Sequence, residues 1–319
     1  MLDVRPGAPQ SYKHLTIIPL LCDSEASLPY RLLADAMAAG QFRIIEKGSG
    51  TVPTLVALNS GQLDVLILDG EQLIGARQNR TTNRSMIVAA GSEVEIPVSC
   101  MEHGRWHHVS PQMAVKSDIS PSNVRRHARN VEADHVRRRA RVSANVLSEA
   151  QGAVWDEIAV YADKLGAHSP SGALDHVYDT HTSTISAWVN AFHREDRQVG
   201  LLAMIGDQPL GLDAVGCGKL YGQLHERLLH GYVLDALSSE PSSPTTAAER
   251  AAEYLRQVRE AVRTPADSVG KGSYAVLTGA VVGGELVDGG RLVHLSAFPN
   301  VDVVSVDNPL APPSRRRRR

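Results

Sequence analysis

Two short stretches of the sequence hold most of the side chains that could do chemistry. The first is LDGEQLIGARQNR, in which an apolar run gives way to polar side chains: Asp69, Glu71, Gln78, Asn79 and Arg80. The second is CMEHGRWHH, which contributes a thiol, a carboxylate, a guanidinium and an indole: Cys100, Glu102, Arg105 and Trp106. Carboxylates can share acid and base roles, arginine can grip phosphate, and an aromatic face can stack on a base or sugar. Together the two stretches predict a site for a nucleotide-like or sugar-like ligand.

These residue types suggest a division of roles within one site. Glu71 and Glu102 are the acid and base candidates, with Asp69 and Cys100 as further catalytic candidates. The ligand-binding candidates are amides that read hydroxyl groups, guanidiniums that hold anions and an indole that stacks: Gln78, Asn79, Arg80, Arg105, Trp106 and Arg125. This interpretation requires four side chains to converge on one cavity: Glu71, Arg80, Glu102 and Arg105.

Each candidate also has a plainer structural explanation. Asp69-Gly70 is a dipeptide typical of tight hairpin turns, so the turn alone explains Asp69. Glu71 and Glu102 fit a solvated sheet face, and Cys100 at the end of an apolar run fits a buried position. The remaining polar residues fit a loop that satisfies its own backbone groups, or an internal arginine–tryptophan stack.

Histidines near the second stretch raise the question of a metal site. The possible ligands are Cys100, Glu102, His103, His107 and His108. Zinc sites usually need a defined spacing and a distant ligand pair, and neither Cys-x-x-Cys nor His-Glu-x-x-His occurs. The sequence therefore favours a site without a metal, and it assigns no cofactor.

The order of secondary-structure signals predicts an α+β fold. Short β-branched segments separated by Gly, Asn and Asp dominate residues 10–115, as in an N-terminal antiparallel sheet. Helical periodicity takes over in a central region, 120–265, and strand signals return at 270–306, where we expect the chain to rejoin the sheet. We expect a single large domain over residues 1–307 and a disordered Arg-rich tail at 308–319.

Charge is distributed unevenly along the chain. The formal net charge is −2, but residues 123–141 hold seven Arg against two acids, and Arg315–Arg319 add five more. The rest of the chain is therefore acidic. The segment after Ser120-Pro121 contains no aromatic residue that could stack on bases. We expect a solvated helix that pairs with the acidic body, rather than specific binding of nucleic acid.

Composition is typical of a soluble protein in a reducing compartment. Hydrophobic residues make up 43% of the chain and charged residues 21%. No apolar run approaches the roughly 18 residues that a membrane span needs. Three widely separated cysteines do not form a disulfide framework. We therefore expect a cytoplasmic protein with no membrane partner.

The same stretches resemble a known family. LDGEQLIGARQNR, IPVSCMEHGRW, VWDEI and LVHLSAF together resemble the ARG-and-rhodanese-phosphatase-superfamily-associated domain family over most of the chain. The matching positions are Asp69, Gly70, Glu71, Gly75, Gln78, Asn79, Arg80, Cys100, Glu102, Gly104, Arg105 and Trp106. His103 and the pair His107–His108 depart from the pattern, which weakens the metal hypothesis. The family name records an association with ADP-ribosylglycohydrolases, so the resemblance implies a role in NAD-derived or ADP-ribose metabolism.

A turn needs Asp69-Gly70, but no turn needs the whole polar set, so we favour a functional pocket. The leading hypothesis is an enzyme that acts on a nucleotide- or ribose-containing small molecule, by hydrolysis or glycosyl transfer with carboxylate acid/base chemistry. One alternative is a non-catalytic binding or sensor module for the same ligands. The other is a structural partner in a biosynthetic complex, in which Glu102–Arg105 or Glu71–Arg80 would be internal salt bridges.

Overall fold

The computed structural model describes residues 3–23, 29–243 and 245–301. Within them the chain has the α+β fold that the sequence predicts. The helices are α1 (Leu33–Ala38), α2 (Ser122–Arg137), α3 (Gln151–Leu165), α4 (Leu174–Thr180), α5 (Thr182–Val189), α6 (Gly218–Leu237) and α7 (Ala247–Glu260). A 3₁₀ helix, Ala144–Ala150, precedes α3. The Arg-rich tail predicted at 308–319 lies outside the described residues.

The strands of the described residues form three sheets. The nine-stranded sheet contains β1 (Arg5–Pro6), β2 (Gln10–Tyr12), β3 (Leu15–Leu21), β13 (Gln198–Ile205), β14 (Gln208–Val215), β15 (Val262–Ala266), β16 (Ser273–Thr278), β17 (Val281–Asp288) and β18 (Arg291–Pro299). The six-stranded sheet contains β5 (Phe42–Thr51), β6 (Thr54–Asn59), β8 (Glu71–Gly75), β9 (Arg80–Thr82), β11 (Glu93–Cys100) and β12 (Met113–Ile119). The three-stranded sheet contains β4 (Arg31–Leu32), β7 (Val65–Ile67) and β10 (Met86–Val88).

Strands from both ends of the chain share the nine-stranded sheet. Its order runs β1-β3-β13-β14-β18-β17-β16-β15, with β2 beside β3. The expected return of the C-terminal strands is therefore found, and they rejoin β1–β3 through β13 and β14. The strands between residues 31 and 119 form the two other sheets. Pairing is antiparallel except between β4 and β7, which are parallel.

Helices pack on both faces of the nine-stranded sheet. On one face, the Leu220, Leu224 and Leu228 stripe of α6 is buried against β13 and β14. On the other face, Leu255 and Val258 of α7 join the apolar cluster that contains the alternate side chains of β3 and β13. Every residue of β13 is buried, as expected for a strand covered on both sides.

The Asp69-Gly70 turn is present, but it does not close the hairpin that this dipeptide predicts. β7 pairs with β4 and β10, whereas β8 pairs with β9 and β12, so the turn passes the chain from one sheet to another. Gly70 has a φ of 84°, and an added Cβ would lie 2.7 Å from Arg125 Cδ. The turn therefore needs glycine for its backbone conformation and for the close approach of α2.

The Arg-rich helix α2 is less solvated than its sequence suggests. Arg125 and Arg129 are buried and paired with acids: Arg125 with Asp69 and Asp213 from other elements, and Arg129 with Glu132 of α2 itself. Towards the end of the helix, Arg137 pairs with Asp134, and beyond it Arg141 pairs with Asp267 at the surface. Only the C-terminal part of this basic segment thus matches the expected solvated helix.

Candidate functional site

The polar loop after β11 forms one wall of an open groove of about 330 Å³. The amide of Leu174 donates to the Met101 carbonyl at 3.1 Å, and the amides of His103 and Gly104 both donate to the Ser171 carbonyl at 2.9 Å. These bonds place the start of α4 opposite the loop. An added Cβ at Gly104 would lie 2.9 Å from Ser171 Cα, so the close approach needs glycine. We name this groove the Glu102 groove. Its charged, imidazole and amide side chains are Asn79, Glu102, Arg105, Asp175, His176 and Asp179.

Arg105 is held by bonds to the protein itself. Its Nε donates to Glu102 Oε2 at 2.9 Å, and its Nη2 lies 2.7 Å from the same oxygen. Nη2 also donates to Asn79 Oδ1 at 2.9 Å, and Nη1 donates to the carbonyls of Ala76 at 2.9 Å and His107 at 3.2 Å. The five N–H groups of the guanidinium are thus all directed at internal acceptors. Arg105 orients Glu102 and Asn79, and it can grip an anion only by giving up these bonds.

Glu102 is a buried carboxylate at the groove wall, with 3% of its surface exposed. Burial alone would raise its pKa, but hydrogen bonds from Arg105, Ser171 and the Asn79 amide outweigh burial and lower the pKa of Glu102. The Asn79 amide lies 3.2 Å from Glu102 Oε2. The carboxyl group is therefore ionised at neutral pH, which suits a base or a hydrogen-bond acceptor and not an acid.

Helix α4 supplies the opposite wall of the groove through Asp175, His176 and Asp179. Lys116 Nζ donates to Asp179 Oδ1 at 2.7 Å and to the Asp175 carbonyl at 3.1 Å. The side chain of His176 is exposed, so its imidazole can meet both solvent and ligand. An imidazole across a groove from an ionised carboxylate suits proton transfer. No sequence motif identifies these α4 residues as part of a site, because they belong to an ordinary amphipathic helical pattern.

Glu71 lies at the other end of β8 from the Glu102 groove. It is fully buried and forms a two-pronged ion pair with Arg227 of α6. Arg227 Nε also donates to the Ser117 carbonyl of β12 at 3.0 Å. Gly75, at the groove end of β8, is four residues away, which is roughly 13 Å along a strand. The structure does not bring Glu71 and Glu102 together, so the acid and base candidates do not share a cavity.

Arg80 and Trp106 form a stack that lies outside the lining of the groove. Arg80 is fully buried, and its Nη1 donates to Gln78 Oε1 at 3.2 Å. The guanidinium carbons of Arg80 and Arg77 lie 5.9 Å and 5.8 Å from the Trp106 ring centroid. Arg80 Nη2 is 3.9 Å from Glu46 Oε1. The arginines that contact the Trp106 ring are therefore Arg77 and Arg80, and not Arg105 as the structural explanation suggested. Of Trp106, 45% faces solvent.

Asp69 and Arg125 belong to a separate, enclosed ionic cluster. Arg125 Nη2 donates to Asp69 Oδ1 at 2.7 Å and to Asp213 Oδ1 at 2.6 Å, while its Nη1 donates to Asp213 Oδ2 at 2.9 Å. Ser296 Oγ donates to Asp69 Oδ2 at 3.0 Å, and His294 Nε2 lies 3.2 Å from Asp213 Oδ1. Burial opposes ionisation, but Arg125 outweighs it and holds the pKa of both carboxyl groups below the usual range. We name this set the Asp69–Arg125 cluster, and it ties the 69–70 turn to α2, β14 and β18.

The cluster also contains the one trio of metal-ligating side chains that gathers within 4.8 Å in the described part of the chain: Asp69, Asp213 and His294. The guanidinium of Arg125 already bonds both carboxylates and supplies the positive charge there. The candidate ligands of the second stretch are not gathered in this way. His103 packs edge-on against Trp155, with 4.5 Å between ring centroids, and His107–His108 are exposed.

Cys100 occupies a buried position at the end of β11. Its amide donates to Gln151 Oε1 at 2.6 Å, and its carbonyl accepts from Gln151 Nε2 at 2.9 Å. Burial raises the pKa of the Cys100 thiol to about 11. The thiol is therefore protonated at neutral pH, and the geometry favours the buried hydrophobe over the nucleophile.

Asp213 and His294 are central to the ionic cluster, although neither was among the candidate site residues. A signal was present in LVHLSAF, where His294 and Ser296 interrupt an apolar strand at alternate positions that face one side. Asp213 interrupts β14 in the same way. Buried polar residues inside apolar strands require partners, and such positions can be found from the sequence alone.

No helix in the described residues is both long enough and apolar enough to cross a membrane. Comparison with curated proteins finds no match, and comparison with solved structures finds none either. A family model matches residues 3–298, which include the groove, the tryptophan stack and the ionic cluster. The chain belongs to the ARG and Rhodanese-Phosphatase-superfamily-associated Protein domain family.

Proposed function

We propose that the protein is an enzyme that acts on a ribose- or nucleotide-containing small molecule in the Glu102 groove, by hydrolysis of a glycosyl bond. The observation that carries the proposal is an ionised, buried carboxylate at the wall of an open groove whose opposite wall presents His176. The association with ADP-ribosylglycohydrolases that the family name implies supports a substrate from NAD-derived or ADP-ribose metabolism. The three free cysteines, two of them buried, fit the reducing, cytoplasmic setting that is part of this proposal.

The chemistry assigns one proton transfer to each wall. Glu102 accepts a proton from a water molecule as the water oxygen bonds to the anomeric carbon of the ribosyl group. The bond from that carbon to the leaving group breaks, and its electron pair departs with the leaving group. His176 in its protonated form donates a proton to a leaving group that departs as an anion. A pyridinium base departs as a neutral pyridine and needs no acid.

The test is turnover of NAD, ADP-ribose and nicotinamide riboside, followed by chromatography of the products. We expect Glu102→Gln to lower kcat by about 100-fold or more, the usual contribution of a general base. The control is Glu226→Gln, which removes the same charge from an exposed position on α6. Because Glu102→Gln also loosens Arg105, His176→Gln is the second variant, and its exposed position leaves folding intact. It is assayed with adenosine, because adenine departs as an anion and needs the acid, whereas a pyridinium does not. Full activity in both variants would overturn the proposal.

One observation favours a second candidate, a binding or sensor module at the same groove. Glu102 Oε2 already takes hydrogen bonds from Arg105 and Asn79, and a carboxylate with a lowered pKa is a weak base. Binding measured by calorimetry, with no product after long incubation, would support this candidate over the enzyme.

A purely structural role receives less support. Glu102 and Arg105 do form an internal salt bridge, but that bridge lies beside an open groove. Glu71 pairs with Arg227 rather than with Arg80, the partner that the structural hypothesis suggested.

A further inference from the structure

The charge of the groove indicates which part of a nucleotide-like ligand it holds. We infer that the Glu102 groove takes a ribosyl group that carries a neutral or cationic base and no phosphate. This inference rests on the proposed function, because it concerns the substrate class of the same site.

The charges that border the groove are mainly negative. Three carboxylates line it, from Glu102, Asp175 and Asp179, against one guanidinium, from Arg105. Lys116 lies 2.7 Å from Asp179 and offsets one of these charges. With the His176 imidazole in its neutral form, which suffices for a pyridinium leaving group, three negative and two positive side chains leave a net negative charge around the ligand. A phosphate dianion brought into such a groove meets repulsion, whereas a cation is attracted.

The positive groups that border the groove are already occupied. Arg105 directs its N–H groups at Glu102, Asn79 and backbone carbonyls. Lys116 donates to Asp179 and to the Asp175 carbonyl. Sites that bind phosphate instead present free arginine forks or backbone amides to the anion. Within the described ranges, these two cations could offset the desolvation of a phosphate only by giving up their present bonds.

The groove is better supplied with hydrogen-bond acceptors than with donors. In the described residues, Asp175 Oδ1 is enclosed and has no hydrogen-bond partner. The carboxylates of Glu102 and Asp179 add further acceptor sites. The hydroxyl groups of a ribose donate hydrogen bonds, and a ribosylated pyridinium adds a positive charge beside the sugar. A riboside with a cationic base therefore matches both the charge and the hydrogen-bonding capacity of the groove.

The test compares two probes that differ by one phosphate, nicotinamide riboside and nicotinamide mononucleotide, by calorimetry on the full chain. We expect the riboside to bind at least 10-fold more tightly than the mononucleotide. Asp179→Asn should reduce this ratio of affinities, because the loss of a negative charge weakens binding of the cationic riboside and favours binding of the phosphate. Glu260→Gln, which removes an exposed carboxylate from α7, should leave the ratio unchanged. Adenosine and AMP form a second pair that separates the effect of phosphate from that of the cationic base.

Each outcome bears on a different claim. Tighter binding of the mononucleotide, lost in Glu102→Gln, would overturn the inference and leave the proposed function standing. Binding of the riboside that is unaffected by Asp179→Asn and by His176→Gln would place the ligand elsewhere and overturn both. An unchanged melting temperature in Asp179→Asn confirms that the variant is folded, as its exposed position leads us to expect.

Discussion

At the residue scale, the open space beside a carboxylate, and not its partner, separates functional acids from structural ones. The three acids of the polar stretches each pair with an arginine: Asp69 with Arg125, Glu71 with Arg227 and Glu102 with Arg105. The carboxyl groups of Asp69 and Glu71 are buried in the protein interior and do not line the groove. Glu102 alone among these three borders the open groove. Residue type and spacing therefore identify the ionic residues, and the accessible space beside them identifies the site.

Replacement of Arg125 by Met tests the enclosed cluster. The substitution leaves Asp69 and Asp213 buried without their counter-charge, and we expect it to lower the free energy of unfolding by about 3–5 kcal/mol. Urea denaturation measures this loss. The matched control is Arg138→Met at an exposed position, which should change stability by less than about 0.5 kcal/mol. Equal effects of the two substitutions would show that the cluster is not a structural centre.

The carboxyl group of Asp235 provides a test by pH. It accepts hydrogen bonds from the Tyr161 hydroxyl and the Ser122 amide, but burial dominates and raises its pKa to about 6, from 3.8 in the unfolded chain. The stability that the neutral carboxyl contributes is present below about pH 4 and is lost as the pH rises through about 6. As the pH rises from 4 to 7, the free energy of unfolding of Asp235→Asn should therefore increase by about 3 kcal/mol relative to that of the wild type.

Urea unfolding at several pH values between 4 and 7 measures this gain as a difference between the two proteins. The difference is needed because Asp69 and Asp213, whose pKa values are lowered, make both proteins less stable as the pH falls. A difference between wild type and Asp235→Asn that stays constant with pH would contradict the prediction.

At the element scale, α6 connects the two large sheets. It packs on β13 and β14 of the nine-stranded sheet and on β12 of the six-stranded sheet. Gly231 marks a close contact, since an added Cβ would lie 2.9 Å from the Ser120 carbonyl oxygen and 3.0 Å from that of Ile119. The position of Glu71 depends on this contact, because its partner Arg227 lies one turn earlier on α6.

Two glycine substitutions on α6 test this packing. Gly231→Ala should lower the free energy of unfolding by about 1–3 kcal/mol, because backbone atoms cannot make room for the methyl group. Gly222→Ala, at an exposed position of the same helix, should raise it by up to about 1 kcal/mol through helix propensity. Thermal unfolding of both variants gives the two signs. Stabilisation by Gly231→Ala would show that α6 does not approach the sheet so closely.

Element types were predictable from the sequence, whereas their pairing was not. The α6 stripe of Leu220, Leu224 and Leu228 follows from helical periodicity, and the return of strands after residue 270 follows from β-branched runs. The separation of β7 from β8 into different sheets depends on partners distant in sequence, which local turn chemistry does not specify. The dipeptide Asp69-Gly70 predicts a turn correctly and cannot predict which strands the turn connects.

At the scale of the whole molecule, each polar site is assembled from distant segments. The Glu102 groove joins residues 74–79, 102–109 and 169–179, and the Asp69–Arg125 cluster joins residues as far apart as Asp69 and Ser296. The sequence located the first two segments of the groove because their residue types are unusual. The sequence could not show that α4 borders the groove. Asp175, His176 and Asp179 form a wall only when α4 is bonded to the loop after β11.

The most direct test of the central claim is whether a ribosyl ligand reaches His176. The measurement is the NMR spectrum of protein in which the 13 histidines carry ¹³C labels, with His176 assigned from the spectrum of His176→Gln. Addition of nicotinamide riboside should shift the His176 resonance in a saturable manner and leave that of the buried His294 unchanged. A saturable shift elsewhere with none at His176, or no shift at all, would contradict the assignment of the Glu102 groove as the functional site.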